Sequence, residues 1–588
     1  MSAWRAAIAA FGLALAACLA GCSSAPPAAP EAASGFADKP GWTASRHMVA
    51  AAHPLAAQAG LQMLRDGGSA VDAAIAVQMM LTLVEPQSSG IGGGLFLMHH
   101  DGRRVQAFDG RETAPAEAGP DLFLRDGRRM GFREAVVGGR SVGTPGVLRA
   151  LELVHRQHGR LPWARLFEPA IAAAERGVPV GARLARLLAE GSAEPLRDDD
   201  EARRVFFDAE GRPLREGATL RNPVLAETLR RMARGGADAF YRGEIARDIV
   251  AKVRGHARNP GVLAEADLAG YRAVERVPLC FEHRQHRVCG MPPPSSGTLA
   301  IAQVLGLLVR HDLAALPPVA APWGLEPAPA AVHLISEAQR LAFADRNRYV
   351  ADPDFVTVDT AALLDADYLR RRALLIGEQS MGRAEPGRPR AATMALADDR
   401  SPELPSTTQV AIVDGFGNAL SMTSTIENGF GAQLMVRGFL LNNQLTDFSF
   451  VPEVEGMPVA NRVQAGKRPR SSMAPLLVFE RGSGRFEMAL GSPGGPVIIA
   501  YVAKSLIAAL DWQLDLQQAI ALPNFGSRNG PTELEQGRAS ETLVRALRER
   551  GHELSIAPMT SGAQGIQRRG EGWFGAADPR REGVAAGD

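Results

Sequence analysis

The chain has 588 residues, with 65 Lys and Arg against 64 Asp and Glu and a formal net charge of +1. This balance offers no basic surplus for nucleic acid and no charged block for an interaction tail. Hydrophobic residues at 46%, with 62 Gly and 40 Pro, exclude a disordered or fibrous chain, and a turn-rich globular enzyme with a large core is expected.

The first 22 residues read as a targeting segment. Arg5 supplies a positive start, and Ala6 to Leu19 is apolar but short for a membrane span. It ends in Leu19-Ala20-Gly21-Cys22, which resembles a bacterial lipobox with Cys22 as the lipidated first residue. In such signals a residue other than Asp after the Cys, here Ser23, implies the outer membrane. The expectation is a bacterial envelope protein, exported and lipid-anchored to the outer membrane facing the periplasm. Residues 23–46 would be a flexible tether. Plain secretion with Cys22 incidental is the alternative.

Leu55–Leu64 and Ala70–Leu83 read as helices separated by Gly67-Gly68-Ser69, with Ser69 as the cap and Asp72 near the positive end of the dipole. The second is apolar nearly all round and should be buried. Ser88-Ser89-Gly90-Ile91-Gly92-Gly93-Gly94 then enters the strand Leu95–Met98. A phosphate cradle would enter a helix and carry a Lys, so close backbone packing is the better reading. The middle, about 140–375, reads as mostly helical, with helices at Gly146–His155, Trp163–Arg176 and Ala331–Val350. Cys280 and Cys289 flank a hairpin-like segment that could oppose them across two strands. A disulfide and two free thiols both fit, and two Cys without a second pair do not make a zinc site.

Gly377 to Ser406 is loop-like. The step Ser406-Thr407-Thr408 closes it and opens the alternating run Val410–Val413, a predicted strand. A Thr whose backbone amine is freed by chain cleavage carries a nucleophile and a base on one residue. Strands Gln409–Val413 and Ala419–Thr425 flank the turn Asp414–Asn418. Leu476–Glu480 and Phe486–Leu490 form another pair, and helices follow at Val497–Leu510 and Ser540–Glu549. Strands followed by helices suggest a layered α+β body.

From about residue 47 to 580 the chain resembles the γ-glutamyltransferase (γ-glutamyl transpeptidase) family. The resemblance rests on ordered motifs: Gly67–Ala74, Gly90–Gly94, Gly110–Pro115, Met291–Gly297, Leu441–Gln444, Lys467–Met473 and Gly491–Gly495. It implies an N-terminal-nucleophile four-layer αββα sandwich. One precursor would cut itself between Ser406 and Thr407 into a large subunit, 47–406, and a small subunit, 407–588, which stay together as a heterodimer. No cofactor or metal is implied.

Carried over residue by residue, Thr407 corresponds to the nucleophile, and Thr408 to a packing or hydrogen-bonding neighbour. A freed α-amine titrates near ~7.7–8, so its neutral form can take the hydroxyl proton at working pH. Thr425 corresponds to the Thr that hydrogen-bonds the nucleophile. Gly494 and Gly495 correspond to the oxyanion hole, where glycines let backbone N–H groups approach a developing charge. Arg111 corresponds to the ligand of the substrate α-carboxylate, with Ser471 and Ser472 sharing it. Asp447 corresponds to the α-amine partner, helped by Glu427 and Gln444. Gln409 departs from the family's usual His. Glu427 stands where some members have Asn and others Glu. Phe448–Gln464 looks shorter than a full lid and contains no Tyr or Trp, which would leave the site more open and admit bulkier substrates or acceptors.

The resemblance implies transfer of the γ-glutamyl group of glutathione or related compounds to water, amino acids or peptides. A glutaryl-cephalosporin acylase-like amidase of the same fold is the alternative, although a glutaryl group has no α-amine for Asp447. A non-catalytic envelope lipoprotein that binds γ-glutamyl peptides would show no self-cleavage.

Overall fold

The computed structural model describes residues 33–390, 396–401 and 406–588. The leader and Cys22 lie outside the described residues. Among those described, no helix is long and apolar enough to cross a membrane.

Two seven-stranded antiparallel sheets form the centre. Fourteen strands build them: β1 (Trp42–Ala44), β2 (Met48–Ala51), β3 (Gly94–His100), β4 (Val105–Gly110), β5 (Val274–Arg276), β6 (Leu279–His283), β7 (His286–Gly290), β8 (Thr408–Val413), β9 (Ala419–Thr425), β10 (Leu476–Glu480), β11 (Phe486–Gly491), β12 (Gln564–Arg569), β13 (Gly572–Ala577) and β14 (Val584–Gly587). One sheet runs β14-β2-β8-β9-β3-β4-β5 and the other β1-β13-β12-β11-β10-β7-β6.

Strand alternation explains the layering. In β8, Val410 and Ile412 join one core while Ala411 and Val413 join another, and Leu95/Leu97 and Phe96/Met98 divide in the same way along β3. The first core is completed by helices α1 (Pro54–Arg65), α2 (Ala70–Val84) and α3 (Val147–His158). The second holds the other sheet with helices α4 (Gly297–Leu307), α5 (Pro329–Tyr349) and α6 (Ile498–Leu510). The result is the αββα sandwich, helices outside and two sheets within. Sheets buried on both faces read as near-continuous apolar runs, which is why these strands carry few charges.

Helix α2 is buried along its whole length, and Ser69 and Asp72 form a reciprocal capping box at its start. The Gly-rich loop is packing, as expected. A Cβ on Gly92 would lie 2.2 Å from the Leu440 carbonyl oxygen, and one on Gly93 2.0 Å from that of Thr425. Cys280 and Cys289 face each other in the β6–β7 register and are disulfide-bonded.

Two expectations need correction. Trp163–Arg176 is not one helix: a 3-10 turn at Trp163–Phe167 precedes the helix Glu168–Arg176, because Pro169 suits a first turn rather than an interior. Residues 33–46, expected within the tether, belong to the folded body. There β1 pairs with β13, and Ser34 N–H donates to the Arg580 carbonyl at 3.0 Å.

Candidate active site

Register brings the first pair of side chains together. Thr408 faces Ser424 across β8 and β9, so Thr407, one residue outside the strand, meets Thr425 at the strand's other end. Their hydroxyl oxygens are 3.3 Å apart, and Thr425 Oγ1 also accepts from the Glu427 N–H at 2.8 Å. Ser406 and Thr407 are each 2% exposed. Thr408 points to the other face and donates to Glu85 Oε2 at 2.7 Å, a hydrogen-bonding neighbour of Thr407. Gln409 ties the sheet together. Its amide donates to Ser421 Oγ at 2.9 Å, and its Oε1 accepts from Thr423 Oγ1 at 2.6 Å.

The charge-bearing wall is built around Arg111, just after β4. Its backbone N–H donates to Asp109 Oδ1 at 2.9 Å, and its carbonyl accepts from the Tyr271 hydroxyl at 2.7 Å. The guanidinium donates to the carbonyls of Pro469 (3.2 Å) and Arg470 (2.9 Å) and to Asp447 Oδ2 at 2.5 Å. Gln444 Nε2 donates to the same Asp447 oxygen at 2.6 Å. The two residues expected to bind opposite ends of a zwitterion are thus paired with each other. A ligand carrying both an α-carboxylate and an α-amine exchanges this one ion pair for two, keeping the buried Arg111 and the half-buried Asp447 matched.

Glu112, adjacent to Arg111, was not expected from sequence. It is 0% exposed, its carboxylate oxygens have no hydrogen-bond partner, and Arg111 Nη1 is 3.8 Å away. Burial pushes its carboxyl up to about 8, with Arg111 opposing. Glu427 has φ of +79° and accepts from Asn443 Nδ2. Asn442 bridges Gly92 and Gly143, which fixes this loop to the Gly-rich turn.

Ser471 and Ser472 lie 175 residues beyond the Pro-rich turn that clamps them. Ser296 donates to the Ser471 carbonyl from both its backbone N–H and its hydroxyl, each at 2.7 Å. The Ser472 hydroxyl accepts from Arg346 Nη2 at 2.7 Å, and Arg346 also reaches Ser296 Oγ at 2.9 Å. Arg346 is a second residue that sequence reasoning missed. An Arg on a helix face flanked by buried residues was the available signal.

The oxyanion candidates precede α6. Gly494 has φ of +138° and Gly495 φ of +55°, and a Cβ on Gly494 would lie 2.7 Å from Tyr501 Cε2. Their N–H groups stand at the positive end of a helix, where developing negative charge is stabilised.

One cavity gathers Thr407, Thr425, Arg111, Glu427, Gln444, Asp447, Ser471, Ser472 and Gly495, with Ser406, Met473 and Ile498 also in its wall. Gly494 sits behind Gly495 rather than in the lining. No residue of 448–464 lines it; instead Phe448 and Phe450 pack with Phe123 in a separate small core. The cavity volume is about 20 Å³, room for about one water and far less than a glutamyl group. Ser406 stands next to Thr407 in the cavity wall.

Among the described residues, His333, Glu337 and His552 have the spacing of a metal site. Arg340 already supplies the positive charge there, donating to Glu337 Oε1 at 2.9 Å and Thr532 Oγ1 at 2.8 Å. His333 is hydrogen-bonded through both ring nitrogens, to His552 and to the Gly377 carbonyl. The cluster is a buried polar pin between α5 and the loop that starts at Gly377.

The family model described as gamma-glutamyltranspeptidase matches residues 56–588. The glutathione hydrolase proenzyme of Bacillus subtilis (strain 168) is 34% identical over 555 residues, covering 92% of this chain and 91% of that protein. The acylase ACY 1 proenzyme of Pseudomonas sp. (strain V22) is 35% identical over 550 residues, covering 92% of each. The crystal structure of cephalosporin acylase from Bacillus halodurans superposes with a TM-score of 0.80 at 28% identity, covering 96% of this chain and 99% of that one.

Proposed function

The chain belongs to the gamma-glutamyltranspeptidase family of N-terminal-nucleophile enzymes, and from that premise we propose that it is a self-processing γ-glutamyltransferase and glutathione hydrolase. The observation that carries this reading is the Arg111–Asp447 pair in the wall of the cavity that holds Thr407.

In the precursor the Thr407 hydroxyl attacks the Ser406 carbonyl carbon. The peptide nitrogen leaves as the Thr407 α-amine, and water hydrolyses the resulting ester to give a Ser406 carboxylate. The neutral amine then accepts the Thr407 hydroxyl proton as Oγ1 attacks a γ-glutamyl carbonyl. Arg111, with Ser471 and Ser472, holds the α-carboxylate, while Asp447, with Glu427 and Gln444, holds the α-amine. Gly494 and Gly495 N–H groups receive the oxyanion, and Thr425 orients the nucleophile. The proton passes to the departing amine, leaving a γ-glutamyl ester on Thr407. Water, an amino acid or a peptide then takes the acyl group.

The acylase reading draws on the acylases among the similar proteins and on a segment 448–464 that lines none of the cavity. It leaves Asp447 no substrate amine to meet, since a glutaryl group brings none, and only Arg111 to hold. Rates on γ-glutamyl-p-nitroanilide and glutaryl-p-nitroanilide separate the two. Preference for the γ-glutamyl compound is expected, and preference for the glutaryl compound overturns the assignment.

By the same proposal the protein works in a bacterial envelope, held to the outer membrane by lipid on Cys22. Labelling with a lipid precursor tests this: label lost in Cys22→Ala supports the anchor, and no label in the parent refutes it.

A further inference from the structure

The segment expected to be slack instead grips the turn behind the nucleophile. Ser34 and Ala37 donate their N–H groups to the carbonyls of Arg580 (3.0 Å) and Pro579 (2.9 Å). The Lys39 ammonium donates to the carbonyl of Arg581 at 2.8 Å and to that of Gly583. The Phe36 ring lies under the guanidinium of Arg538, 3.9 Å from its centroid, and 5.6 Å from that of Arg580. Apart from the Arg538 contact, these fall on one short stretch, Pro579 to Gly583.

That stretch reaches the reaction centre. Arg581 is 3% exposed and donates from Nη1 to the Thr407 carbonyl at 3.3 Å and from Nη2 to the Thr560 carbonyl at 3.3 Å. Gly562 lets it pass, since a Cβ there would lie 2.6 Å from Arg581 Cδ. Asp578 fixes the other end of the turn, accepting from the Arg580 N–H at 3.0 Å and the Ser561 hydroxyl at 2.5 Å. On the proposed mechanism Thr407 becomes a chain end. Its amine is then untethered, and its backbone is held from the carbonyl side alone, with the Thr425 hydroxyl as the side-chain contact. A hydrogen bond to that carbonyl therefore matters more after cleavage than before it. Small displacements of a nucleophile are expensive in rate.

We propose that residues 34–39 form a strap that positions the nucleophile, with Lys39 setting the Pro579–Gly583 turn and Arg581 passing that placement to Thr407. Lys39 and Arg581 are positioning residues, because neither meets the substrate. The inference rests on Thr407 being the processed nucleophile.

The test uses the full-length processed enzyme with γ-glutamyl-p-nitroanilide as substrate. Lys39→Met keeps the stem and removes the donors, while Lys39→Arg restores a cation. The strap predicts that Lys39→Met lowers kcat about tenfold or more with KM within about twofold, and that Lys39→Arg recovers most of the loss. Phe36→Ala should lower kcat in the same direction. Combining Lys39→Met with Arg581→Lys should cost no more than the larger single loss, because both act through one path. Parental kcat in Lys39→Met, an effect on KM alone, or additive losses in the pair would overturn the proposal. A parent that fails to cleave or to turn over this substrate refutes the underlying function instead, so the two failures are distinguishable.

Discussion

The Thr407 and Thr425 hydroxyls stand 3.3 Å apart because the β8–β9 register that pairs Thr408 with Ser424 carries one step further. The two threonines are therefore fixed by a sheet and not by a loop. Thr425→Val keeps the branched shape and removes the hydroxyl. It is expected to slow turnover about fivefold, in line with about 1 kcal/mol for a buried hydrogen bond, and Thr425→Ser should recover activity. Steady-state kinetics on processed protein checks this, and full activity in Thr425→Val would remove Thr425 from the account.

Asp447 distinguishes a γ-glutamyl from a glutaryl substrate only if it meets an amine. Asp447→Asn is expected to cost about 1.5–3 kcal/mol of kcat/KM on γ-glutamyl-p-nitroanilide, the range for a hydrogen bond to a charged group at a half-buried site. Rates on the glutaryl compound should fall far less. Equal losses on both substrates would show that Asp447 serves only to hold Arg111.

Glu112 gives the site a pH dependence. Its folded-state carboxyl is raised to about 8 by burial, well above the ~4.3 of an unfolded Glu. A raised acid contributes its stability fully below about pH 4.3 and loses it as pH climbs through about 8. Above that point a second carboxylate beside Arg111 competes with the substrate carboxylate. KM for γ-glutamyl-p-nitroanilide should rise as pH passes about 8, Tm should fall between about pH 4.3 and about pH 8 and level off above it, and Glu112→Gln should flatten both curves. Identical pH profiles in parent and Glu112→Gln would contradict this.

Gly494 leaves no room for a side chain. Gly494→Ala would put a Cβ against Tyr501 at φ of +138°. Backbone strain of about 1–3 kcal/mol is expected to pull the oxyanion donors out of place. Loss of one such donor costs about 10²–10³ in kcat, so a fall of about that size with little change in KM is expected. Burst and steady-state kinetics on folded protein measure it, and an unchanged kcat would place the oxyanion hole elsewhere.

Much of this site is legible in the sequence because its parts are motifs in a fixed order. Arg111, Ser471, Ser472 and the Gly pair sit in runs that carry the resemblance to the family, and that resemblance, not local chemistry, picked them out together with Asp447. The strands at Leu95 and Val410 are legible from their apolar runs. The residues that escaped are held by distant partners. Arg581 touches a carbonyl 174 positions away and Arg346 a hydroxyl 126 positions away; Arg581 stands in no local pattern that signals it, and the buried helix face around Arg346 does not name its partner. Residues 33–46 escaped for a related reason. A Pro- and Gly-containing stretch reads as slack, and what orders it is pairing with β13 and the 579–583 turn, more than 500 residues along the chain.

N-terminal sequencing of the smaller band on a denaturing gel tests the central claim most directly. The account predicts two bands from the purified protein, the smaller beginning at Thr407, and a single uncleaved, inactive chain in Thr407→Ala. An intact parent chain with full activity, or a small fragment beginning elsewhere, would contradict it.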